Sequence, residues 1–520
     1  MEINRNISMT QLTWVVGTLV GLVMAVFMGS AVGSADFSFI SISLGVGIGV
    51  GTFLALGKHY WILIPISLGA SFPALPVGGR SAEFSELAIA SCSLFFLLRV
   101  ATRKEKLHVF RRINIPILLF VAWVGMVFIL NPVGLAAMGS QLGGGRFYLQ
   151  IALAFAAYLI LSNREYSERD LRWVFASLVF GAFFSLIYGL ISYLLVGPAV
   201  DPVTGMVAEE FYTWHQLLAL PPLTIAFLIF ARWSPREVFS LQKPWLFLAY
   251  LLCLILILFS GKRMAIVAVC LTPLAASFVY RQPVYILVGV VLVTASMGIA
   301  VIGHGQVFRL PLVAQRTLSF LPADWDEGLG DMRGGTDEWR AELRNYAWER
   351  VKKDPLIGKG FGVDLQETAT AFDMAKQGGS MDIRTAQYAL GRSWHNIWFG
   401  YAADFGIPLS IIQAVIFCWV FILTAKTFRY YGSKSLFGVF ALYLLFYTFR
   451  DVTASHTSGQ TASDAYMRWW MYGVLVSLYC ALPKRQAAIP AGSADAKLPN
   501  QPMPIPALNL AKRRVSRPAL

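Results

Sequence analysis

The string Ser393-Trp394-His395-Asn396-Ile397-Trp398 returns the chain to apolar sequence after roughly ninety residues of charged, mixed composition. Imidazole is the side chain that titrates nearest neutral pH, and a position at a helix N-terminus disfavours its charged form. A neutral His395 could therefore take a proton as a general base. Upstream, Arg340 and Arg344 stand four residues apart and share a helix face. Like charges at that spacing repel by about a few tenths of a kcal/mol unless an anion meets them. Asp337 and Glu338 offer neighbouring carboxylates; a diphosphate is the alternative, because guanidinium forks match phosphate oxygens. Lys262 and Arg263 form a second basic pair at the mouth of another apolar run. The chemistry these residue types allow is proton removal beside a bound anion.

The elements that must position them follow from local pattern. Residues 336–353 read as an amphipathic helix: Thr336, Asp337 and Glu338 cap its start, Lys352 and Lys353 suit its end, and Asp354-Pro355 stops it. Pro355 to Gly362 then carries three glycines on a tight backbone path. It follows a helix and lacks the Gly-Lys-Ser/Thr ending of a nucleotide-binding loop, which argues against ATP chemistry. Asp324-Trp325-Asp326 has the form of a cation-holding pair, but Glu327 and Asp331 beside it make a solvated acidic stretch the better reading. No metal and no cofactor are expected. Polar residues of lower rank are Asn396, Asp404, His215 and Arg146, with Arg450 and Asp451 expected to pair and His456 expected to be solvated. Cys92, Cys253, Cys270, Cys418 and Cys480 all lie in apolar runs without metal-ligand or disulfide spacing.

The chain is 57% hydrophobic and 14% charged over 520 residues. Apolar runs recur at the length that crosses ~30 Å of hydrocarbon. The expected class is an all-α polytopic membrane protein of 12–14 transmembrane helices, with one large, partly helical extracytoplasmic loop. Candidate spans are 12–33, 37–57, 60–76, 84–101, 113–131, 146–162, 172–196, 215–231, 244–260, 264–280, 283–303, 395–425, 435–449 and 465–482. Arg5, the run 12–28 and Gly33-Ser34-Ala35 resemble a signal peptide, but the run is long, and an uncleaved first helix is expected.

The net charge of +14 does not imply nucleic acid, because the basic residues cluster in alternate short loops. These loops hold Arg99 to Arg112, Arg164 to Arg172, Arg232 to Lys243, Arg281, and Lys426 to Lys434, and the tail after 482 is basic as well. The positive-inside rule then places both termini in the cytoplasm and the 304–394 loop outside it. Lys262 and Arg263 break that rule at the outer face, which suggests a bound anion. The organisation expected is a bundle at 1–303, the loop at 304–394, further helices at 395–482 and a disordered cytoplasmic tail at 483–520. No paired broken helices or internal repeats of the transporter kind are present, and acidic residues are nearly absent from the spans.

An outer arginine (Arg263), an arginine fifteen residues ahead of a Pro-x-x-Gly-x-Gly-x-Gly segment (Arg340, Pro355 to Gly362), and His395-Asn396 opening a transmembrane helix resemble the O-antigen ligase and polymerase superfamily. Asp404 to Pro408 resembles that family's small-residue stretch, although its acid is usually Glu; the family commonly has Trp where Arg344 stands. The resemblance covers the second half of the chain best. It implies a GT-C-like membrane fold and a metal-independent, inverting glycosyl transfer at the periplasmic face of the bacterial inner membrane. The donor would be a glycan on undecaprenyl diphosphate, and the acceptor lipid A-core or another glycan. Arg263 and Arg340 would hold the diphosphate, and His395 would deprotonate the acceptor. Ligation is preferred over polymerisation, and a lipid-linked glycan transporter is the rival from another class.

Overall fold

The computed structural model describes residues 56–69, 75–77, 80–132, 144–196, 218–319, 321–322, 325, 329–362, 394, 396–454 and 461–482. The span expected at 12–33, all but the last two residues of that at 37–57, the tail after 482, and His215, Asp324, Asp326, His395 and His456 lie outside the described residues.

The fold is all-α and polytopic, with one short hairpin. A 3₁₀ turn, Gly57–Ile62, leads into α1 (Leu63–Gly69). Strands β1 (Leu75–Val77) and β2 (Arg80–Ala82) pair antiparallel. Four helices follow: α2 (Phe84–Ala101), α3 (Ile115–Leu130), α4 (Gly145–Ser162) and α5 (Glu168–Val196). Next are α6 (Leu220–Arg232), the single turn α7 (Pro235–Val238), α8 (Pro244–Leu258), α9 (Arg263–Val279) and α10 (Pro283–Gly303). The polar loop contributes α11 (Leu312–Leu318) and α12 (Leu329–Lys353). The chain ends in α13 (Ile397–Phe405), α14 (Ile407–Tyr431), α15 (Leu436–Ala454) and α16 (Thr461–Cys480). Among the described residues, six helices are long and apolar enough to cross a membrane, and α6, α8 and α9 are shorter apolar ones.

Helix ends follow local chemistry. Proline opens α8 and α10 at a position whose N–H has no helical partner. Ser234 and Glu237 form a reciprocal capping box on α7, as Glu83 and Glu86 do on α2. Three expectations need correction. The span at 60–76 is the 3₁₀ turn with α1, and β1 begins at Leu75. The helix expected from 336 begins at Leu329. The span at 395–425 is two helices, because Gly406 takes φ +80° and Pro408 lies in the first turn of α14. An apolar sequence hides that break, since both halves are equally hydrophobic.

Within a bilayer, lipid is as apolar as the helices, so association depends on close packing at small residues. α16 meets α4 in this way: a Cβ at Gly473 would lie 2.6 Å from the Tyr158 carbonyl oxygen. Phe120 of α3 bridges to Trp469 of α16 and Tyr401 of α13, edge to face at 5.0 and 5.4 Å. Gly473→Val should therefore cost about 1–3 kcal/mol by overpacking and lower the melting midpoint of the detergent-solubilised protein. Gly125→Val, whose Cβ would meet nothing within 4 Å, should leave the midpoint unchanged.

Contacts between loops sort the bundle into two ends. At one end, Arg232 donates to the Ser433 carbonyl at 2.6 Å and the Arg236 N–H to Gln282 Oε1 at 3.1 Å. There too the His108 N–H donates to Asn163 Oδ1 at 2.8 Å. The basic loops are thus gathered together. The opposite end carries the turn before α9, the glycine segment, the α13–α14 break and the start of α4.

Candidate active site

The glycine segment after α12 docks onto the α13–α14 break. The Gly360 N–H donates to the Asp404 carbonyl at 2.6 Å, and the Ile407 N–H donates to the Pro355 carbonyl at 2.8 Å. Gly358 and Gly360 both take positive φ, and a Cβ on Gly358 would collide with the Asp404 carbonyl. Tyr148 Oη receives the Phe361 N–H at 3.3 Å, and Asn131 Nδ2 donates to the Gly358 carbonyl at 3.3 Å. Phe361 is fully buried against Phe147, Tyr148 and Phe405, with ring centroids 4.9 to 5.1 Å away. Gly358 permits close approach to the backbone at Asp404, and Gly360 leaves room for the Tyr148 side chain, which seats the end of the polar loop on the membrane bundle.

That seat fixes α12 against α13. Leu343, Ala347 and Val351 of α12 form a small core with Trp394 and Ala403. Tyr346 stacks on Trp394 at 6.0 Å, and the buried Arg350 guanidinium lies 5.9 Å from the same ring. One turn before Leu343, Arg340 is half-buried with its Nε enclosed by protein, whereas Arg344 is exposed. Spacing ahead of the glycine segment favoured Arg340 over Arg344 only through the family resemblance; burial distinguishes the two as well.

Both neighbours of His395 are pinned. Trp394 is 1% exposed, and its Nε1–H donates to Asp404 Oδ2 at 3.1 Å. Asn396 caps α13, its Oδ1 accepting the N–H groups of Trp398 at 3.0 Å and Phe399 at 3.2 Å. Asp404 is wholly buried and is the junction of the region. Its carboxylate holds Trp394 while its carbonyl holds the glycine segment. Asp404 and Asn396, low-ranking ligand candidates by sequence, do local structural work here.

A second group surrounds the start of α9. The turn Ser260-Gly261 uses φ +69° at Gly261 and presents Lys262 as the N-cap residue and Arg263 as the first residue of α9. Arg263 is half-buried and donates from Nε to the Arg316 carbonyl at 3.3 Å. Thr317 ties α11 to α8 through the Leu258 carbonyl at 2.8 Å. Burial, reinforced by the positive charge of Arg450, holds the Lys262 ammonium below the usual lysine pKa. Arg450 and Asp451 pair as expected, with Nε to Oδ1 at 2.9 Å. Arg468 joins them through Nε to Oδ2 at 2.8 Å.

Arg146 belongs to a third group. Its guanidinium reaches Glu86 at 2.9 Å and Glu83 at 3.0 Å, and Gln150 shares Glu86. Burial and the adjacent Glu86 carboxylate push the Glu83 carboxyl up, against the pull of Arg146. The charge of Arg146 is met within the bundle, so it has the features of a structural residue.

Sequence reasoning passed over Trp394, Arg350, Tyr148, Arg316 and Arg468. It also passed over His304, which is buried against Trp325 at 5.1 Å and accepts the Leu310 N–H at Nδ1. A lone arginine in an aromatic run was the only available signal for Arg468. Nothing local pointed to Tyr148. Among the described residues, no three His, Cys, Asp or Glu side chains gather in a metal-holding group.

Residues 248–414 match the O-antigen ligase family model, which supports a place in the O-antigen ligase and polymerase superfamily. A search of curated proteins gave no significant match. The matched stretch takes in Arg263, Arg340, the glycine segment, His395 and Asp404, and it stops short of Arg450, Asp451 and Arg468.

Proposed function

We propose that this chain, as a member of the O-antigen ligase and polymerase superfamily, transfers a glycan from undecaprenyl diphosphate to an acceptor hydroxyl, with inversion. The observation that carries the reading is the docking of α12, with half-buried Arg340, onto Trp394, the residue directly ahead of His395. His395 removes the acceptor's hydroxyl proton. The acceptor oxygen then bonds to the anomeric carbon as the carbon–oxygen bond to the diphosphate breaks. The electron pair leaves with the diphosphate, whose growing charge Arg340 and Arg263 offset through charge-assisted hydrogen bonds.

The gathering of the basic loops at one end supports a cytoplasmic position for that end under the positive-inside rule. The site end then faces the periplasm of a bacterial inner membrane. Lipid A-core is the preferred acceptor, because one loop carries both Arg340 and the glycine segment directly ahead of His395. Polymerisation of repeat units uses the same site chemistry and remains the second reading. Purified protein in detergent, given lipid-linked donor and acceptor, should form glycosylated product without any ion gradient. Donor binding with no product formed would favour the transporter alternative. Accumulated full-length polymer on the carrier in cells lacking the chain would indicate ligation, and short chains alone polymerisation.

A further inference from the structure

We propose that Leu356 and Ile357, at the end of the polar loop, insert among the phospholipid chains of the leaflet at the site end and anchor the seat of the glycine segment to the bilayer.

The two side chains are 67% and 37% exposed, although the backbone beside them is tightly docked. Single exposed aliphatic residues are common on water-facing loops and by themselves mean nothing. Position decides the matter. The Ile407 N–H donates to the Pro355 carbonyl at 2.8 Å, and a Cβ on Gly406 would strike the Leu356 carbonyl. Leu356 therefore sits against the first turn of α14. From there Ile407, Ile411, Val415 and Ile422 are all exposed and share one helix face, while Leu409, Ile416 and Val420 on the other side are buried. α14 is one of the six helices able to cross a membrane. An exposed aliphatic stripe on such a helix is its lipid face, and Leu356 and Ile357 continue it.

The stripe also has the length of a bilayer. Lys426, exposed near the basic-loop end of α14, marks one boundary of the hydrocarbon. From there to Ile407 an upright helix rises roughly 28 Å at ~1.5 Å per residue, close to the ~30 Å of a bilayer core. Ile407 then stands at the far edge of the hydrocarbon, with Leu356 beside it. α13 folds back beside α14: Ser410 Oγ donates to the Trp398 carbonyl at 2.8 Å, and the Trp398 ring lies 5.7 Å from that of Phe417. The break at Gly406 is thus the tip of a hairpin, and the loop end lies on that tip. Lys353 and Lys359, both exposed, bracket the aliphatic pair and suit the phosphate headgroups at that level.

The anchor does not depend on which reaction the site performs. Its test uses full-length protein in nanodiscs of phosphatidylethanolamine and phosphatidylglycerol. p-Benzoylphenylalanine replaces Leu356, Ile411 or Arg344, one at a time, and the irradiated protein is weighed by mass spectrometry. Phospholipid adducts should form at Leu356 as they do at Ile411 on the lipid face, and be absent at Arg344 on the exposed face of α12. Adducts at Ile411 alone would overturn the proposal. So would a cross-linked dimer or a cross-link within the chain, which would give the surface to protein. Replacement of the phospholipid adduct by one of added undecaprenyl diphosphate would give it to the donor's chain and overturn it too. A second measurement reads the anchoring itself. The N–H groups of Gly358, Gly360 and Phe361 are held by Asp354, Asp404 and Tyr148. Ile357→Asp should speed their hydrogen exchange in nanodiscs about tenfold, as expected for taking one aliphatic side chain out of hydrocarbon; unchanged exchange would overturn the anchor. Lipid adducts on a chain that makes no glycan product uphold the anchor and remove the transferase. Product without adducts does the reverse.

Discussion

His395→Ala should abolish glycan transfer while leaving donor affinity within about twofold of wild type. General-base catalysis contributes about 10²- to 10⁴-fold, so the loss belongs in kcat. Titration of undecaprenyl diphosphate into the purified variant, beside single-turnover assays with saturating donor and acceptor, separates the two quantities. Full activity in the variant would remove His395 as the base, and lost donor binding would make it a ligand. The bracketing of position 395 makes the test clean. Trp394 is held by Asp404 and Asn396 caps α13, so the exchange at 395 leaves its flanks anchored. The alanine variant should fold and run as a single species on size-exclusion chromatography.

Arg340→Ala should weaken donor binding and also slow turnover, by about 10²-fold or more in the rate, the typical loss of one oriented donor to a developing oxyanion. Arg344→Ala should change both by less than about threefold, since an exposed charge is screened by water and salt. Both arginines lie on α12, one turn apart, so any general harm to the helix would strike both variants. A deep loss confined to Arg340 therefore reports its half-buried position beside the seated core of α12 and Trp394. Equal losses would send the diphosphate role back to the pair.

Much of the bundle is legible from local pattern. The spans expected at 84–101, 146–162, 244–260, 264–280 and 283–303 match α2, α4, α8, α9 and α10 to within a few residues. Hydrophobic length and flanking proline are one-dimensional signals, and a helix satisfies its backbone from its own neighbours. The break at Gly406 escaped because its cause is not local. The turn is shaped by the segment that docks there, and a Cβ on Gly406 would strike the Leu356 carbonyl. The same limit applied to Asp404, whose role was open until Trp394 and Gly360 appeared as its partners.

By itself the sequence determined a polytopic helical membrane protein, the clustering of its basic residues in alternate loops, and which residue types could bind an anion or move a proton. Those properties depend on apolar length, charge and composition, all of which are read along the chain. Tertiary structure alone decided which side chains act together. The Trp123 indole reaches the Phe405 carbonyl across 282 positions, and Asn131 reaches Gly358 across 227. It also decided that Arg340 is enclosed and Arg344 is not, and that Arg146 is met by carboxylates while Arg450 and Arg468 share one. Burial and partnership arise only when distant helices pack, and spacing along one helix carries no record of them.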